Sequence, residues 1–379
     1  MLVSPVIAGF ARSPFHFARK GALIGMRPDD IAAQVVKGLI ERLDVDPALI
    51  EDVIAGCAYP EGEQGDNIAR IVGLLAGLPQ SVAGMTINRF CGSSMSAVHM
   101  AAASMQMGAG EAFLCIGVES MTRVPNGGFH PAPNLTLLES RTQAYVTMGQ
   151  TAENVATQYR ISRADQELLA AESHRKAATA QDIGHFEREI VPIKTADGIV
   201  TRDGCIRANT TPEILANLKP AFDPTGSVTA GTSSPLTDGA TALLVCSEQF
   251  AQRHKLDIFA RIKAVAVAGC PPEIMGMGPV YATRKALQRA GLSMADIDVI
   301  ELNEAFASQA VACIRELGMD ASRVNVDGGA IALGHPLGAT GARITGKAAD
   351  ILKRQGGRYA LATQCIGGGQ GIATILESV

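Results

Sequence analysis

Residues 85–107 of the chain read MTINRFCGSSMSAVHMAAASMQM. Residues 85–88 predict a short strand, and residues 96–107, rich in Ala and Met, predict a helix. The turn between them carries Cys91, followed by Gly92 and two serines. A strand that leads directly into a helix is the repeating unit of sheets flanked by helices. The stretch therefore predicts an α/β fold with a thiol at a strand-to-helix turn.

Strand and helix patterns alternate on both sides of this stretch. Short apolar runs predict strands at residues 3–10, 52–57 and 112–118, and apolar residues at helical spacing predict a helix at residues 28–43. Alternation of this kind is typical of a parallel sheet covered by helices.

The last third of the chain repeats the first. KALQRAGL at 285–292, followed by IDVI at 297–300, matches KGLIERLD at 37–44, followed by EDVI at 51–54. A strand predicted at 324–326 then leads through a Gly-rich turn containing His335 into a predicted helix at 340–353 and a strand at 359–366. These matches predict a duplicated α/β unit in which the Cys91 and His335 turns occupy equivalent places.

The middle of the chain differs in composition, with clusters of Pro, Asn and Gly and a polar helix predicted at 164–180. We therefore predict an N-terminal half at 1–118, completed by about 232–258, an inserted domain at 119–231, and a C-terminal half at 259–379.

Composition narrows the class of protein. The 379 residues carry a net charge of −4 and 18% charged side chains, which excludes a strongly basic nucleic-acid-binding surface. No run of eighteen apolar residues occurs, and residues 1–10 lack the features of a secretion signal, so we expect a cytoplasmic protein. The eight cysteines show no zinc-ligand spacing, so we expect free thiols and no metal site.

The position of Cys91 predicts a reactive thiol. A helix N-terminus offers free N–H groups and a positive dipole end, which lower a thiol pKa and favour the thiolate. The alternative is a small buried apolar residue, which is the commoner role of cysteine.

Three other segments carry candidate chemistry. His335 lies in GGAIALGHPLGATG at 328–341, a loop whose glycines permit close approach of a ligand, where histidine suits a base. Its glycines lack the full dinucleotide-binding spacing, which leaves a nicotinamide-dependent dehydrogenase as a weak alternative. Cys365 opens CIGGGQG at the end of a predicted strand, with a plain turn as the alternative. Asn303 and Glu304 follow an apolar run, where ligand crevices form in α/β sheets; there Asn303 suits hydrogen bonding or orienting a water, and Glu304 suits an ordinary helix N-terminal acid.

These four segments together resemble the active-site blocks of the thiolases. CGSS at Cys91, NEAF at Asn303, GHPLG at His335 and CIGGG at Cys365 match in order and spacing, and the similarity runs from the first strand to the last residues. The resemblance implies a five-layered αβαβα fold with two duplicated halves and an inserted loop domain.

The resemblance also implies a role for each residue. Cys91 would be the nucleophile that accepts the acyl group, His335 the base for its proton or that of CoA, and Cys365 the acid and base at the α-carbon of acetyl-CoA. Asn303, through a water, and His335 would form one oxyanion hole. The N–H groups of Cys91 and Gly367 would form the second.

The resemblance further implies CoA as co-substrate and no permanently bound cofactor. The residues at positions where the family contacts CoA are Arg207, Ser234, Met148, Met275, Phe222, Ala230 and Phe306. As partners it implies acyl-CoA and CoA, with a homodimer or homotetramer, in some members assembled with a hydratase/dehydrogenase subunit.

Details within the family favour a degradative 3-ketoacyl-CoA thiolase. Biosynthetic acetoacetyl-CoA thiolases, the main alternative, carry His where this chain has Thr147, and EGEQGDNIAR at 61–70 is similar to the degradative enzymes. A ketosynthase or a thiolase-like lipid-binding protein is a further alternative, disfavoured by the complete catalytic set. Asp327 stands where we expect Asn, which leaves the hydrogen bonding behind the His335 loop open.

Overall fold

A computed structural model describes residues 3–379. Residues 1 and 2, part of the segment judged to lack a secretion signal, lie outside the described residues. The strands are β1 (Pro5–Arg12), β2 (His16–Phe17), β3 (Asp52–Gly56), β4 (Ala83–Ile87), β5 (Ala112–Ser120), β6 (Ile193–Thr195), β7 (Gly198–Val200), β8 (Thr237–Ser247), β9 (Ala260–Gly269), β10 (Val299–Leu302), β11 (Tyr359–Ile366) and β12 (Gln370–Glu377).

The helices begin and end as follows: α1 (Pro28–Leu43), α2 (Ile68–Leu75), α3 (Ser93–Gln106), α4 (Leu135–Ser140), α5 (Met148–Gln158), α6 (Arg163–Asp182), α7 (Pro212–Ala216), α8 (Glu248–Arg253), α9 (Gly278–Ala290), α10 (Ala307–Leu317), α11 (Ala330–Leu333) and α12 (Leu337–Gln355). No helix among residues 3–379 is both long enough and apolar enough to cross a membrane.

The two halves of the sheet have the same strand order when each is followed from its outer edge towards the centre. The large sheet runs β10-β11-β12-β9-β1-β8-β5-β3-β4, with β2 paired to β8. In the first half β8 is antiparallel to β1 and β5, and β3 is parallel to β5; in the second half β12 is antiparallel to β9 and β11, and β10 is parallel to β11. The two halves therefore share one pairing scheme, as a duplicated unit requires.

The helices and sheet halves form five layers, which confirms the predicted αβαβα fold. The parallel sheet predicted from the alternation of strands and helices is wrong, because the sheet is mixed, with antiparallel pairs at its centre. One apolar core joins α1 and α2 to β1, β5 and β8; a second joins α3 and α12 to both halves of the sheet; a third joins α9 and α10 to β10, β11 and β12. Leu244 and Val245 belong to different cores because successive side chains of a strand point to opposite faces. Helices α3 and α12 thus form the central layer.

The prediction of a strand at 324–326 is wrong. Val324 makes only an isolated parallel bridge with Ile300, at the place where β4 pairs with β3 in the first half. Asn325 has a left-handed backbone (φ 46°), and its side chain bonds the N–H and the carbonyl of Leu302 at 2.9 and 2.8 Å. A side chain therefore takes the place of the next ladder pair, and the strand ends.

Residues 121–231 contain α4 to α7 and the small β6-β7 sheet, and α5 and α6 pack against α10 of the second half. Helix α6 starts at a capping box formed by Ser162 and Asp165. The boundaries predicted for the three units remain a prediction.

Candidate active site

The turn that carries Cys91 is held in a strained conformation. Phe90 has a left-handed backbone (φ 45°), which is rare for a bulky residue. Its N–H donates to Asn88 Oδ1 at 2.7 Å, and its carbonyl accepts from Ser93 Oγ at 2.6 Å. The Asn88 amide donates in turn to Ala58 O at 2.9 Å. These bonds present Cys91 immediately before the first turn of α3.

The thiol of Cys91 is less acidic than the sequence predicts. The residue is partly exposed, but its thiol is enclosed by protein, and this burial raises the pKa to about 11. Hydrogen bonds from the N–H groups of Gly367 and of Cys91 itself lower the pKa, and the charge of Glu119 raises it. The low pKa predicted for Cys91 is therefore wrong, because burial outweighs the effect of the helix terminus.

His335 is buried and held at both ring nitrogens. Nδ1 lies 2.6 Å from Thr340 Oγ1 and Nε2 lies 3.4 Å from the Asn303 amide nitrogen. An amide N–H facing Nε2 assigns the ring proton to Nδ1, which donates to the Thr340 hydroxyl. Burial, with the positive charge of Arg343, lowers the pKa of His335 to about 3. The imidazole is therefore neutral at pH 7, with the lone pair of a base at Nε2.

Asn303 lies just beyond the end of β10, and its N–H donates to Thr363 O at 3.0 Å. Its Oδ1 is buried and has no hydrogen-bond partner within residues 3–379. The neighbouring Glu304 is not a helix N-terminal acid, since α10 begins at Ala307. Its carboxylate instead accepts from Ser173 Oγ at 2.7 Å.

Cys365 lies one residue before the end of β11, at the same edge of the sheet as Asn303. Burial raises the pKa of the Cys365 thiol well above its usual value, and the nearby Cys91 adds to this effect. The turn that follows uses two glycines with positive φ, Gly368 and Gly369. The amide of Gln364 donates to the carbonyl of Cys91, which joins the two cysteine turns.

Most of the residues predicted to contact CoA lie around Cys365. Met148, Met275 and Phe306 pack with it in one apolar cluster. Phe222 meets Phe306 edge to face at 5.8 Å. These side chains form a wall of apolar and aromatic groups beside the thiol, with Phe222 partly exposed at its outer end.

The other three predicted contacts are not part of this apolar cluster. Ser234 donates from its N–H and its hydroxyl to the carbonyl of Ala305, at 3.0 Å in both cases. Ala230 is exposed, in the short 3₁₀ turn just before that serine. Arg207 lies apart from the cluster, with its guanidinium 3.0 Å from the ring of His174 and above the ring of Phe17.

The two departures from the expected pattern have structural explanations. Thr147 is the N-cap of α5, where its side chain accepts the N–H of Gln150 at 3.4 Å. Asp327 lies 2.9 Å from Lys347 Nζ and 2.8 Å from Arg354 Nη2. Although burial opposes it, Lys347 lowers the pKa of Asp327 to about 2. An ion pair therefore takes the place of the hydrogen bonds that an asparagine would make.

Sequence reasoning missed the side chains that hold His335. Thr237 Oγ1 accepts the His335 N–H at 3.0 Å, and Thr340 bonds the ring. Glu119 is buried and accepts the N–H of Gly338 at 2.9 Å. The position of an acid at the end of the apolar run 112–118 was the available signal for Glu119, whereas nothing in the local sequence indicates the partner of Thr237.

Comparison with known proteins identifies relatives along the whole chain. The family model described as the thiolase N-terminal domain matches residues 5–249, and the thiolase C-terminal domain model matches residues 256–378. The 3-ketoacyl-CoA thiolase of Pseudoalteromonas translucida is 48% identical over 389 residues, covering 99% of both chains. That of Bacillus subtilis is 44% identical over 385 residues, covering 98% of both. The solved structure of human mitochondrial 3-ketoacyl-CoA thiolase in complex with CoA matches with a TM-score of 0.92 and 38% identity, over 100% of this chain and 98% of that one.

Proposed function

The chain belongs to the thiolase family, and from that premise we propose that it is a 3-ketoacyl-CoA thiolase. The reaction is cleavage of a 3-ketoacyl-CoA by CoA, which gives acetyl-CoA and an acyl-CoA shortened by two carbons. The observation that carries this proposal is the convergence of two thiols, an imidazole and an amide at one edge of the sheet. Relatives named 3-ketoacyl-CoA thiolase support the degradative direction.

In the first half-reaction Cys91 is the nucleophile. Its thiol gives its proton to Nε2 of His335, and the sulfur attacks the 3-keto carbon. The N–H groups of Cys91 and Gly367, which bond the resting sulfur, stabilise the oxyanion that forms. Preorganised donors of this kind contribute about 3–4 kcal/mol to a transition state. The Cα–Cβ bond then breaks, and the acyl group remains on sulfur as a thioester.

The electron pair of the broken bond moves to the acetyl-CoA enolate. We assign Cys365 as the acid that protonates the α-carbon, since its buried thiol retains its proton near neutral pH. The enolate oxygen is stabilised by His335 and by a water held by Asn303, whose buried Oδ1 is free to accept from that water. CoA then attacks the thioester and releases the shortened acyl-CoA. The Cys365 thiolate takes the proton of the CoA thiol, and the departing Cys91 sulfur takes back its proton from His335, so that all three groups return to their starting state.

CoA is the co-substrate in this proposal, and no cofactor is permanently bound. The apolar cluster of Met148, Met275 and Phe306 supports a tunnel for the pantetheine arm, with Phe222, Ala230 and Ser234 along its course. Arg207 suits the anionic nucleotide end, because an exposed guanidinium binds phosphate oxygens in pairs. The human relative was solved in complex with CoA.

We also propose that the protein is a cytoplasmic homo-oligomer that acts in fatty-acid β-oxidation, as a homodimer or homotetramer or together with a hydratase/dehydrogenase subunit. Strand β4 is the edge of the sheet and pairs on one side only among the described residues. Leu74 and Leu75 on α2 and Met107 after α3 expose apolar side chains. An open edge and exposed apolar groups favour association of two copies. Light scattering tests this prediction.

A thiolysis assay tests the proposed function. The enolate absorbance of 3-ketoacyl-CoA substrates of increasing chain length is followed with CoA present, for the wild type and for Cys91→Ala. Cys115→Ala is the matched control, since Cys115 is a fully buried thiol of β5. We expect cleavage of long substrates by the wild type and the control only. Activity confined to acetoacetyl-CoA would favour the biosynthetic alternative, and no thiolysis with a competent Cys91 would favour the lipid-binding or ketosynthase alternative.

A further inference from the structure

Glu119 is the buried penultimate residue of β5, and its carboxylate collects hydrogen bonds from three separate segments. Oε2 accepts the N–H of Ala58 at 2.8 Å and the N–H of Gly338 at 2.9 Å. Oε1 accepts the amide of Gln64 at 2.9 Å and the N–H of Tyr59 at 3.2 Å. One side chain therefore ties together the loop after β3 and the first turn of α12.

These segments belong to the two halves of the proposed catalytic machinery. Gly338 is the third residue after His335, in the helix that also carries the partner of its ring. The carbonyl of Ala58 accepts a hydrogen bond from the side-chain amide of Asn88. Asn88 in turn accepts the N–H of Phe90 and so holds the turn that presents Cys91. The carboxylate therefore lies between the support of the turn that carries Cys91 (the nucleophile turn) and the loop that carries His335 (the base loop), and its Oε2 bonds both sides.

The surrounding backbone leaves no room for adjustment. A Cβ added at Gly338 would lie 2.8 Å from the carbonyl oxygen of Gly56 and 2.9 Å from Oε2 of Glu119. A Cβ added at Gly117 would lie 2.5 Å from the carbonyl oxygen of Gly338. Packing this close means that a change at the carboxylate moves the base loop rather than being absorbed locally.

The hydrogen-bond partners show that Glu119 is ionised. Its oxygens contact three backbone N–H groups, the amide nitrogen of Gln64 and the thiol of Cys57, all of which are donors. A protonated carboxyl would need an acceptor for its own O–H group. Burial raises the pKa of Glu119, and the backbone N–H groups oppose that shift. The resulting anion disfavours ionisation of Cys91.

We propose that Glu119 is a positioning residue that holds the His335 loop against the Cys91 turn. This inference rests on the proposed function, in which Cys91 is the nucleophile and His335 its base.

The variant Glu119→Gln tests this role. Because the charge of Glu119 disfavours ionisation of Cys91, its loss shifts the pH profile of Cys91 alkylation by iodoacetamide downward. The other titratable groups that face Cys91 are Tyr59, Cys365 and, in the proposed mechanism, His335, and none of them is substituted in this variant. At the same time the amide NH₂ confronts two former donors, either Ala58 and Gly338 or Tyr59 and Gln64. The link between the loop after β3 and the His335 loop therefore loosens, and kcat for thiolysis falls about 10-fold to 100-fold, with less effect on KM. General loss of structure is not expected to shift the alkylation profile of Cys91 downward while it slows thiolysis.

Two matched variants complete the experiment. Gly338→Ala adds a methyl group that pushes the first turn of α12 away from Glu119 and Gly56 but leaves the charge of Glu119 in place. We therefore expect kcat to fall and the pH profile of Cys91 alkylation to match that of the wild type. Glu189→Gln removes another buried carboxylate, which pairs with Arg12 and Lys347, so it lowers thermal stability and leaves kcat and the profile unchanged.

A wild-type alkylation profile or a wild-type kcat in Glu119→Gln overturns the proposal. If that variant fails to fold, wild-type kcat in Gly338→Ala overturns it. These outcomes differ from failure of the proposed function, which would appear as full thiolysis after complete alkylation of Cys91 in the wild type.

Discussion

Replacing Thr340 by valine removes the hydroxyl that bonds His335 while preserving the shape of the side chain. In the intact protein Nδ1 of His335 donates to Thr340 Oγ1 at 2.6 Å, and that hydroxyl lies 3.3 Å from the carbonyl of Pro336. This chain of bonds keeps the ring proton on Nδ1 and the lone pair on Nε2. We expect the Thr340→Val ring to lose this preference and to populate the tautomer whose Nε2 cannot accept a proton.

The magnitude follows from burial. Both side chains are buried, so water cannot replace the lost partner without rearrangement. Leaving a buried polar group unpaired costs about 1–3 kcal/mol. Because about 1.4 kcal/mol corresponds to a factor of ten, we expect acyl transfer to Cys91 to slow by about 10-fold to 100-fold. KM should change little, since neither residue is among the predicted CoA contacts.

The assay is the pre-steady-state rate of Cys91 acylation, measured with the thermal midpoint of each variant. Thr345→Val is the matched control, because Thr345 is a buried threonine of the same helix whose hydroxyl donates to Gly341 O at 2.7 Å. It should lose comparable stability and retain the acylation rate. A wild-type rate in Thr340→Val, or an equal loss in both variants, would refute the reasoning.

Three further predictions concern single residues. Cys365→Ala should still be acylated at Cys91 by a simple acyl-CoA but lose C–C cleavage and deuterium exchange into the acetyl-CoA methyl group; wild-type exchange would contradict its assigned role. His335→Ala should slow acyl transfer by about 10²–10⁴, measured by stopped-flow thiolysis, and a change below threefold would contradict a base. Asp327→Asn should lower the free energy of unfolding at pH 7 by about 1–3 kcal/mol. Since the folded pKa of Asp327 is about 2, its contribution exists above the unfolded pKa of about 3.9 and is lost as pH falls towards 2, so the two unfolding curves should converge there; a constant difference would contradict the ion pair.

Local patterns predicted most of the regular elements. The helix predicted at 28–43 matches α1, because Ile31, Val35 and Leu39 form its buried face. Strand β5 was predicted two residues short, since its end carries Glu119 and Ser120, whose burial depends on distant partners. The strand at 324–326 failed for a similar reason, because the side chain of Asn325 occupies the ladder position, and no local pattern reveals such a partner.

The residue types at the site could also be predicted from the sequence. The pKa values of Cys91 and His335 could not. A cysteine before a helix predicts a lowered pKa from local geometry alone. Enclosure of the thiol and the charge of Glu119 instead raise the pKa, and both arise from segments far along the chain. The neutral state of His335 has the same origin, since burial lowers its pKa.

The sequence by itself determined the periodicity of the elements, the duplication and the presence of the four reactive segments, because these depend on neighbouring residues and their spacing. Only the tertiary structure decided at which ends of the strands they meet, which hydroxyl bonds the ring of His335 and which carboxylate bonds both the loop after β3 and the first turn of α12. Those outcomes require contacts between residues as far apart as Glu119 and Gly338. Such contacts form only when the two halves of the chain pack α3 and α12 between their sheets, where low dielectric makes each charge and hydrogen bond count more strongly than in water.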